Sequence, residues 1–375
     1  MPRRVGRSLI LVTLILLILV ALIGVIGTLI LRGPGLAGYA SSETSDTSVR
    51  YGPFQAADNA DDWGLGALAT YTRQISENPD QPGPYLSRAK LLMSIGERER
   101  AEQDFTAALQ RGAEGREIYR DRARCYVTMG RVQAAINDYT RAIELEPDDP
   151  LLRRARGELR YQMGEAAGAV EDLTMAADRF PDQVQIRRRL AWSQWMTGDV
   201  DAALESFDRM IELGLNDLHA YMSRGAVHLH RRELAEAESD LEQAIRAFDA
   251  DPSYAYFYLW LTKVRLGERE AADEAVRTHF ARTDRMRRSA WTPRIASFLL
   301  GDMTEEEFLV EAESGAWQPA AEQMCEAYFY AGSVRLIDGD AETARAYFQR
   351  SVDTNTYLFY EYCSAQSELK RLEDG

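Results

Sequence analysis

Small and apolar residues recur along this chain with one fixed spacing. Ala67, Ala101, Ala135, Ala169, Ala203 and Ala237 stand 34 residues apart. Four positions after each comes a bulky side chain: Tyr71, Phe105, Tyr139, Leu173, Phe207 and Leu241. A separation of four keeps both on one helix face. Twelve positions before the alanine stands a small residue, at Ala89, Ala123, Gly157, Ala191 and Gly225, and five before stands glycine, at Gly96, Gly130, Gly164 and Gly198. Each unit therefore predicts two helices. The small residue lets them approach, and the glycine ends the first, because a left-handed residue costs least there. Pro147 and Pro181 fall at unit ends, where a helix cannot continue.

The pattern loosens after residue 252. Gly267 and Ala272 mark a hairpin shifted by one residue, and Ser289–Leu300 with Glu305–Glu313 predict a degenerate one. Cys325–Asp338 and Ala341–Val352 restore the pattern, with Gly332, Gly339, Ala344 and Phe348 in place. Stacked units need capped ends. The half unit Asp61–Ser76 is predicted to cap the start, and a helix over Leu358–Leu372 to cover the last open face.

Ahead of the array, Ser8 to Leu31 form 24 positions without a charge. As a helix they span about 36 Å, slightly more than a ~30 Å hydrocarbon core. Arg3, Arg4 and Arg7 precede the span, which predicts a cytoplasmic N-terminus and an exported body. A cleaved signal peptide is the alternative, with Gly38-Tyr39-Ala40 as a small-residue cleavage site. No cysteine precedes Cys125, so a lipid anchor at the end of the hydrophobic run is not expected. The expected organisation is a cytoplasmic N-terminus (1–7), a transmembrane signal anchor (8–31), a flexible linker (32–60) with a reach on the order of 30 Å, a regular array (61–252), and degenerate hairpins with a capping helix (253–375). The body would be extracytoplasmic, and periplasmic in a Gram-negative host.

The period and its spacings resemble the tetratricopeptide-repeat (TPR) pattern. The resemblance implies an all-α solenoid of helical hairpins, wound as a right-handed superhelix, that binds other proteins. A narrower likeness runs over residues 255–372. Trp291-Thr292-Pro293 and Phe298-Leu299-Leu300-Gly301 are followed by Cys325 to Tyr330, Gly339-Asp340, Ala344-Arg345-Ala346, Glu361-Tyr362 and Glu368-Leu369. This order is similar to the C-terminal half of the NlpI-type TPR lipoproteins of bacterial envelopes. It implies a periplasmic adaptor, often a homodimer, that docks proteases and cell-wall hydrolases. Those proteins carry a lipid on an N-terminal cysteine, where this chain has an apolar span.

Charge and chemistry narrow the function. The formal net charge is -15, which disfavours nucleic acid as a partner. Cys125, Cys325 and Cys363 show no zinc spacing and read as small buried side chains; an oxidising compartment would allow a Cys325–Cys363 bridge. His228 and His230 point to different helix faces, and His219 and His279 stand alone, so no metal site is expected. No phosphate-cradling glycine loop, zinc-protease motif or nucleophile elbow occurs, so neither an enzyme nor a cofactor is expected.

Two sets of residues remain. Arg88, Arg122, Arg156 and Arg224 share one register position, and Asp104, Asp138, Asp172 and Asp240 another. In the fourth unit both are lost together, to Leu190 and Ser206, which predicts an ion pair within each unit. Positions 5, 9 and 12 of the first helix share one side. They hold Arg120, Arg154 and Arg188; Lys90, Arg124 and Trp192; Tyr161 and Trp195. In the proteins that the chain resembles, this side lines a peptide groove, so an acidic or C-terminal peptide segment is the expected ligand. The competing expectation is structural: the arginines pair with Glu117, Glu158 or neighbouring loops, and the tryptophans pack between units. A scaffold is thus the leading expectation, ahead of a structural subunit of a membrane complex and an organelle import receptor.

Overall fold

The computed structural model describes residues 60–214, 218–247, 251–283 and 291–374. The predicted anchor and its flanking arginines lie outside the described residues, as does the linker up to residue 59. Among the described residues no helix is long and apolar enough to cross a membrane, and all regular structure is helical.

The chain runs as consecutive hairpins. Helix α1 (Ala60–Glu77) comes first among the described residues. The regular units follow as α2 (Pro82–Ser94) with α3 (Arg98–Gln110), α4 (Arg116–Thr128) with α5 (Val132–Leu145), α6 (Pro150–Gln162) with α7 (Ala166–Arg179), α8 (Val184–Met196) with α9 (Val200–Glu212), and α10 (Leu218–His230) with α11 (Leu234–Arg246). Beyond them come α12 (Ser253–Arg265) with α13 (Arg269–Thr283), α14 (Thr292–Leu299) with α15 (Glu305–Ser314), α16 (Ala320–Ile337) with α17 (Ala341–Asp353), and α18 (Tyr360–Asp374).

The periodic residues hold the hairpins together. Ala89, Ala101 and Phe105 are fully buried in the first unit, as are Ala191, Ala203 and Phe207 in the fourth. At Gly157 a Cβ would lie 2.9 Å from Leu173, so α6 and α7 are too close there for alanine. Helices α5 and α7 end two residues before Pro147 and Pro181. Asp149 caps α6, its carboxylate accepting from the backbone N–H of Leu151 and Leu152.

The turn slot gives one departure. Gly96, Gly130, Gly164 and Gly198 all have positive φ, and in the fifth unit the same slot holds Arg232, at φ 64°. A non-glycine residue held there stores backbone strain.

Helix α16 begins at Ala320, five residues before the expected start at Cys325. Every residue from Cys325 to Ser333 is buried, whereas the first turn, Ala320–Met324, is mostly only partly buried, so the fully buried run begins one turn inside the helix. Helix α18 also does more than close the end of the stack. It packs on α16 and α17, and it crosses to α8 and α10.

Candidate functional site

The four arginine–aspartate sets form fork-to-fork pairs. Arg88 Nε and Nη2 donate to Asp104 at 2.7 and 2.8 Å. Arg122 meets Asp138, Arg156 meets Asp172 and Arg224 meets Asp240 in the same way, at 2.6–2.7 Å. The hydrogen bonds from Arg88 to Asp104 raise the guanidinium pKa, and those to Asp240 and then Asp208 do the same for Arg224. The remaining nitrogen, Nη1, reaches back to the preceding unit: to Thr72, Thr106 and Thr140 at 3.1, 2.9 and 3.0 Å, and to Asp208 at 2.7 Å. Each arginine therefore joins its own hairpin to the one before, a role beyond the expected pair. In the fourth unit Leu190 is buried, and Ser206 donates to Gln194 instead.

The inner face is the side of the first helices that carries positions 5, 9 and 12. Over α2, α4 and α6 its side chains keep part of their surface exposed. Lys90 is exposed, and Arg120, Arg124, Arg154, Tyr161 and Arg188 are half-buried. Arg120 pairs with Asp121 at 3.0 Å, and Arg124 lies 3.8 Å from the same carboxylate. Arg154 lies 3.4 Å from Glu158 and donates to Gln183 at 3.2 Å. The guanidinium of Arg189 lies over the ring of Tyr161, 5.8 Å from its centroid. Val127, at position 12 of α4, is 40% exposed, and position 12 of α2 is the half-buried Met93. An apolar lane (Met93, Val127, Tyr161) thus runs beside a row at position 5 that is Leu86 in α2 and basic from α4 to α8 (Arg120, Arg154, Arg188).

From α8 onward the same face is covered, which corrects the expected aromatic end of the groove. Trp192 and Trp195 are 7% and 1% exposed. Tyr360 of α18 packs edge-on to Trp192 at 4.8 Å, and Trp195 Nε1 donates to Ser367 at 3.1 Å. Tyr258 and Ser364 share a hydrogen bond of 2.8 Å, and Lys370 donates to the Gly198 carbonyl at 3.2 Å. The segment leading into α18 lies against α6, where Tyr357 donates to the Gln162 carbonyl and leaves no room for a Cβ at Gly164. The tryptophans do not pack merely between neighbouring units; the chain's own last helix covers them.

The anchor of α18 is Glu368, which is fully buried. Arg265 donates to it at 2.9 Å, Arg371 at 2.9 Å and His230 Nδ1 at 3.3 Å, and Arg232 lies 3.6 Å away. Burial pushes Glu368 up, but Arg265, His230 and Arg232 outweigh burial and hold it well below the usual carboxylate range. Burial lowers Arg232 to about 10, and the nearby Arg265 adds to that shift. The strained turn at Arg232 thus places a guanidinium beside this carboxylate. Sequence reasoning missed the cluster. Its one legible trace is the arginine that stands where four other units have glycine.

Two turns earlier on the same helix, Glu361 has the opposite surroundings. It is fully buried with no cation hydrogen-bonded or ion-paired to it among the described residues. It accepts from Tyr330 at 2.8 Å, and burial raises it to about 7. Glu326, held by Tyr254 at 2.9 Å, is also raised well above its ordinary value by burial and by Glu361.

The three cysteines are buried thiols. Burial pushes Cys125 up to about 11 and Cys325 to about 12. Among the described residues no group of His, Cys, Asp and Glu side chains is placed to hold a metal ion.

A family model described as TPR repeat matches residues 123–164, and one described as Tetratricopeptide repeat matches residues 154–217 and 188–255. Among solved structures, the chain is similar to YrrB, described as a TPR protein with an unusual peptide-binding site. The identity is 22%, over 47% of this chain and 91% of that one, with a TM-score of 0.43. It is similar to MamA at 21% identity, over 45% and 92% of the two chains, with a TM-score of 0.42. A tetratricopeptide repeat protein from Parabacteroides merdae matches at 19% identity over 65% and 94%, with a TM-score of 0.38.

Proposed function

We propose that this chain, which carries tetratricopeptide repeats over residues 123–255, is a protein-binding scaffold that holds a partner segment against the partly exposed inner face of α2, α4 and α6. The observation that supports this most is the paired basic and apolar lanes, accessible on a protein with a net charge of -15. Arginine forks suit carboxylates, and a basic lane on an acidic body attracts acidic segments while the rest of the surface repels them.

Crosslinking capture from native membranes tests this reading. The double variant Lys90→Glu, Arg154→Glu should lose the proteins that the parent chain captures, with its helical circular dichroism and melting temperature retained. An unchanged capture profile from the folded variant would sink it.

The setting proposed for this scaffold is the extracytoplasmic side of a bacterial envelope membrane, with proteases or cell-wall hydrolases as clients. Its support is the arginine cluster before the apolar span and the ordered likeness over residues 255–372. Alkaline phosphatase fused to the C-terminus should be active; an inactive fusion beside an active cytoplasmic reporter would refute the orientation.

A further inference from the structure

The network around Glu368 carries more positive charge than the anchoring of α18 uses. Both carboxylate oxygens are met. Arg265 Nη2 and His230 Nδ1 lie 2.9 and 3.3 Å from Oε1, and Arg371 Nε and Arg232 Nη2 lie 2.9 and 3.6 Å from Oε2. Burial lowers the pKa of His230, which favours the neutral imidazole. Three guanidinium groups therefore surround one carboxylate, and two positive charges in the set stay unmatched.

The set has an inner and an outer side. Arg265 closes the inner side: its side chain is 7% exposed, and its Nη1 is buried with no hydrogen-bond partner among the described residues. Arg232 and Arg371 form the outer side, with 37% and 35% of their side-chain surface exposed. Arg371 spends only Nε on Glu368, and the Arg232 side chain donates no hydrogen bond among the described residues.

Arg232 is the residue that structure alone does not account for. Burial lowers its pKa, Arg265 and Arg371 lower it further, and Glu368 is the one group that raises it. Its backbone sits at φ 64°, in the slot that is Gly96, Gly130, Gly164 and Gly198 in the other regular units. Glycine would end α10 there without the cost of a left-handed Cβ. Arg265 and Arg371 already hydrogen-bond to Glu368. A strained arginine is thus held among like charges for one long contact, and strain kept at a single position points to a function.

The charge count selects the ligand. A carboxylate would neutralise one of the two unmatched charges. A phosphate monoester carries about −1.5 to −2 at pH 7, with three acceptor oxygens, and neutralises both. Planar guanidinium groups suit phosphate oxygens. We propose that Arg232 and Arg371, backed by the buried charge of Arg265, form an anion site that takes the phosphate group of a monoester at the outer edge of the contact between α18 and the turn after α10. Such a ligand bridges the two elements and stabilises the covered half of the molecule.

The test uses the full chain in phosphatidylcholine nanodiscs at about pH 7.5, where a phosphate monoester is mostly dianionic. Glycerol 3-phosphate and acetate are titrated at matched ionic strength. The readouts are melting temperature and the fluorescence of Trp195, whose ring centroid lies 6.4 Å from that of His230. Glycerol 3-phosphate should give a saturable response and raise the melting temperature, with acetate at least ~10-fold weaker. Arg232→Gly, which restores the glycine of the other units, should remove the response and leave the phosphate-free melting temperature equal or higher. Arg371→Gln should weaken the response, and Lys90→Glu, Arg154→Glu should keep it. Nanodiscs that contain phosphatidic acid separate the two sources of the phosphate group. A response to the soluble ester assigns a soluble ligand, and one seen only with phosphatidic acid, and lost in Arg232→Gly, assigns a lipid headgroup. A response to neither, an equal response to acetate, or an unchanged response in Arg232→Gly would overturn the proposal. A phosphate-free melting temperature that falls in Arg232→Gly would mark the residue as a structural tie and overturn it as well.

Discussion

The first three units and the units from α8 onward share one register and differ in what their inner faces meet. Over α2, α4 and α6 the face keeps Lys90 and Val127 exposed and its arginines half-buried, with Asp121 and Glu158 among the groups that meet them. From α8 onward the face is filled by α18, and the central charged groups, Glu368 and His230, are buried. The same positions therefore act as a surface in one half and as a core in the other. A charge at position 5 of α4 costs little, whereas the charges under α18 persist only as a closed network around Glu368. This difference separates the half whose inner side chains stay partly exposed from the half whose stability depends on one helix.

The largest expected effect is at Glu368. Replacing it with alanine leaves Arg265, Arg232 and His230 around an absent anion. Removing one partner of a buried charge set costs about 3–5 kcal/mol. Hydrogen exchange should rise in α8, α10 and α18 while α2 to α5 keep their protection. Uniform loss across both halves would break the division drawn above.

Next in size is a pH effect confined to the covered half. The folded pKa of Glu361 is raised to about 7, above the unfolded carboxylate value. Its contribution is therefore fully present below about 4.3 and is lost as pH rises through about 7. Glu326 acts in the same direction. Glu368 has the opposite sign: its depressed pKa gives a contribution present above the unfolded value and lost on strong acidification. Docking of α18 should thus be firmest in mildly acidic solution. The fluorescence of Trp192 and Trp195 should report its loosening toward pH 8, and Glu361→Gln should flatten that dependence. A pH-independent signal in the parent chain would rule this out.

The smallest effect concerns the ladder common to both halves. A double-mutant cycle on Arg122 and Asp138 should give a coupling of about 0.5–1 kcal/mol, because the pair is bidentate and mostly buried. Strict additivity would argue that the fork geometry contributes nothing.

Much of this was legible in the chain before any coordinates. The hairpins of the regular array follow from the 34-residue period, because close packing of Ala89 on Ala101 and Phe105 is a demand repeated in every unit. The ion-pair ladder was legible for the same reason: Arg122 and Asp138 sit 16 residues apart in one hairpin, and their joint loss at Leu190 and Ser206 exposed the pairing. The bond from Arg122 to Thr106 in the preceding unit was overlooked, although the threonines recur with the same period. The start of α16 was misplaced because the fully buried run begins only at Cys325, one turn inside the helix, although Pro319 stands directly before its first residue.

By itself, then, the sequence determined the helical units, their register and the inner side of each first helix, because those depend on contacts within a few dozen residues that repeat along the chain. Only the tertiary structure decided what lies on that inner side. Trp195 and Ser367 are 172 residues apart, and Tyr357 meets the carbonyl of a residue 195 positions earlier. Such contacts occur once and carry no period. Periodicity alone therefore gives a partly exposed arginine and a covered tryptophan the same inner position, and the difference between them arises only when α18 folds back onto α8 and α10.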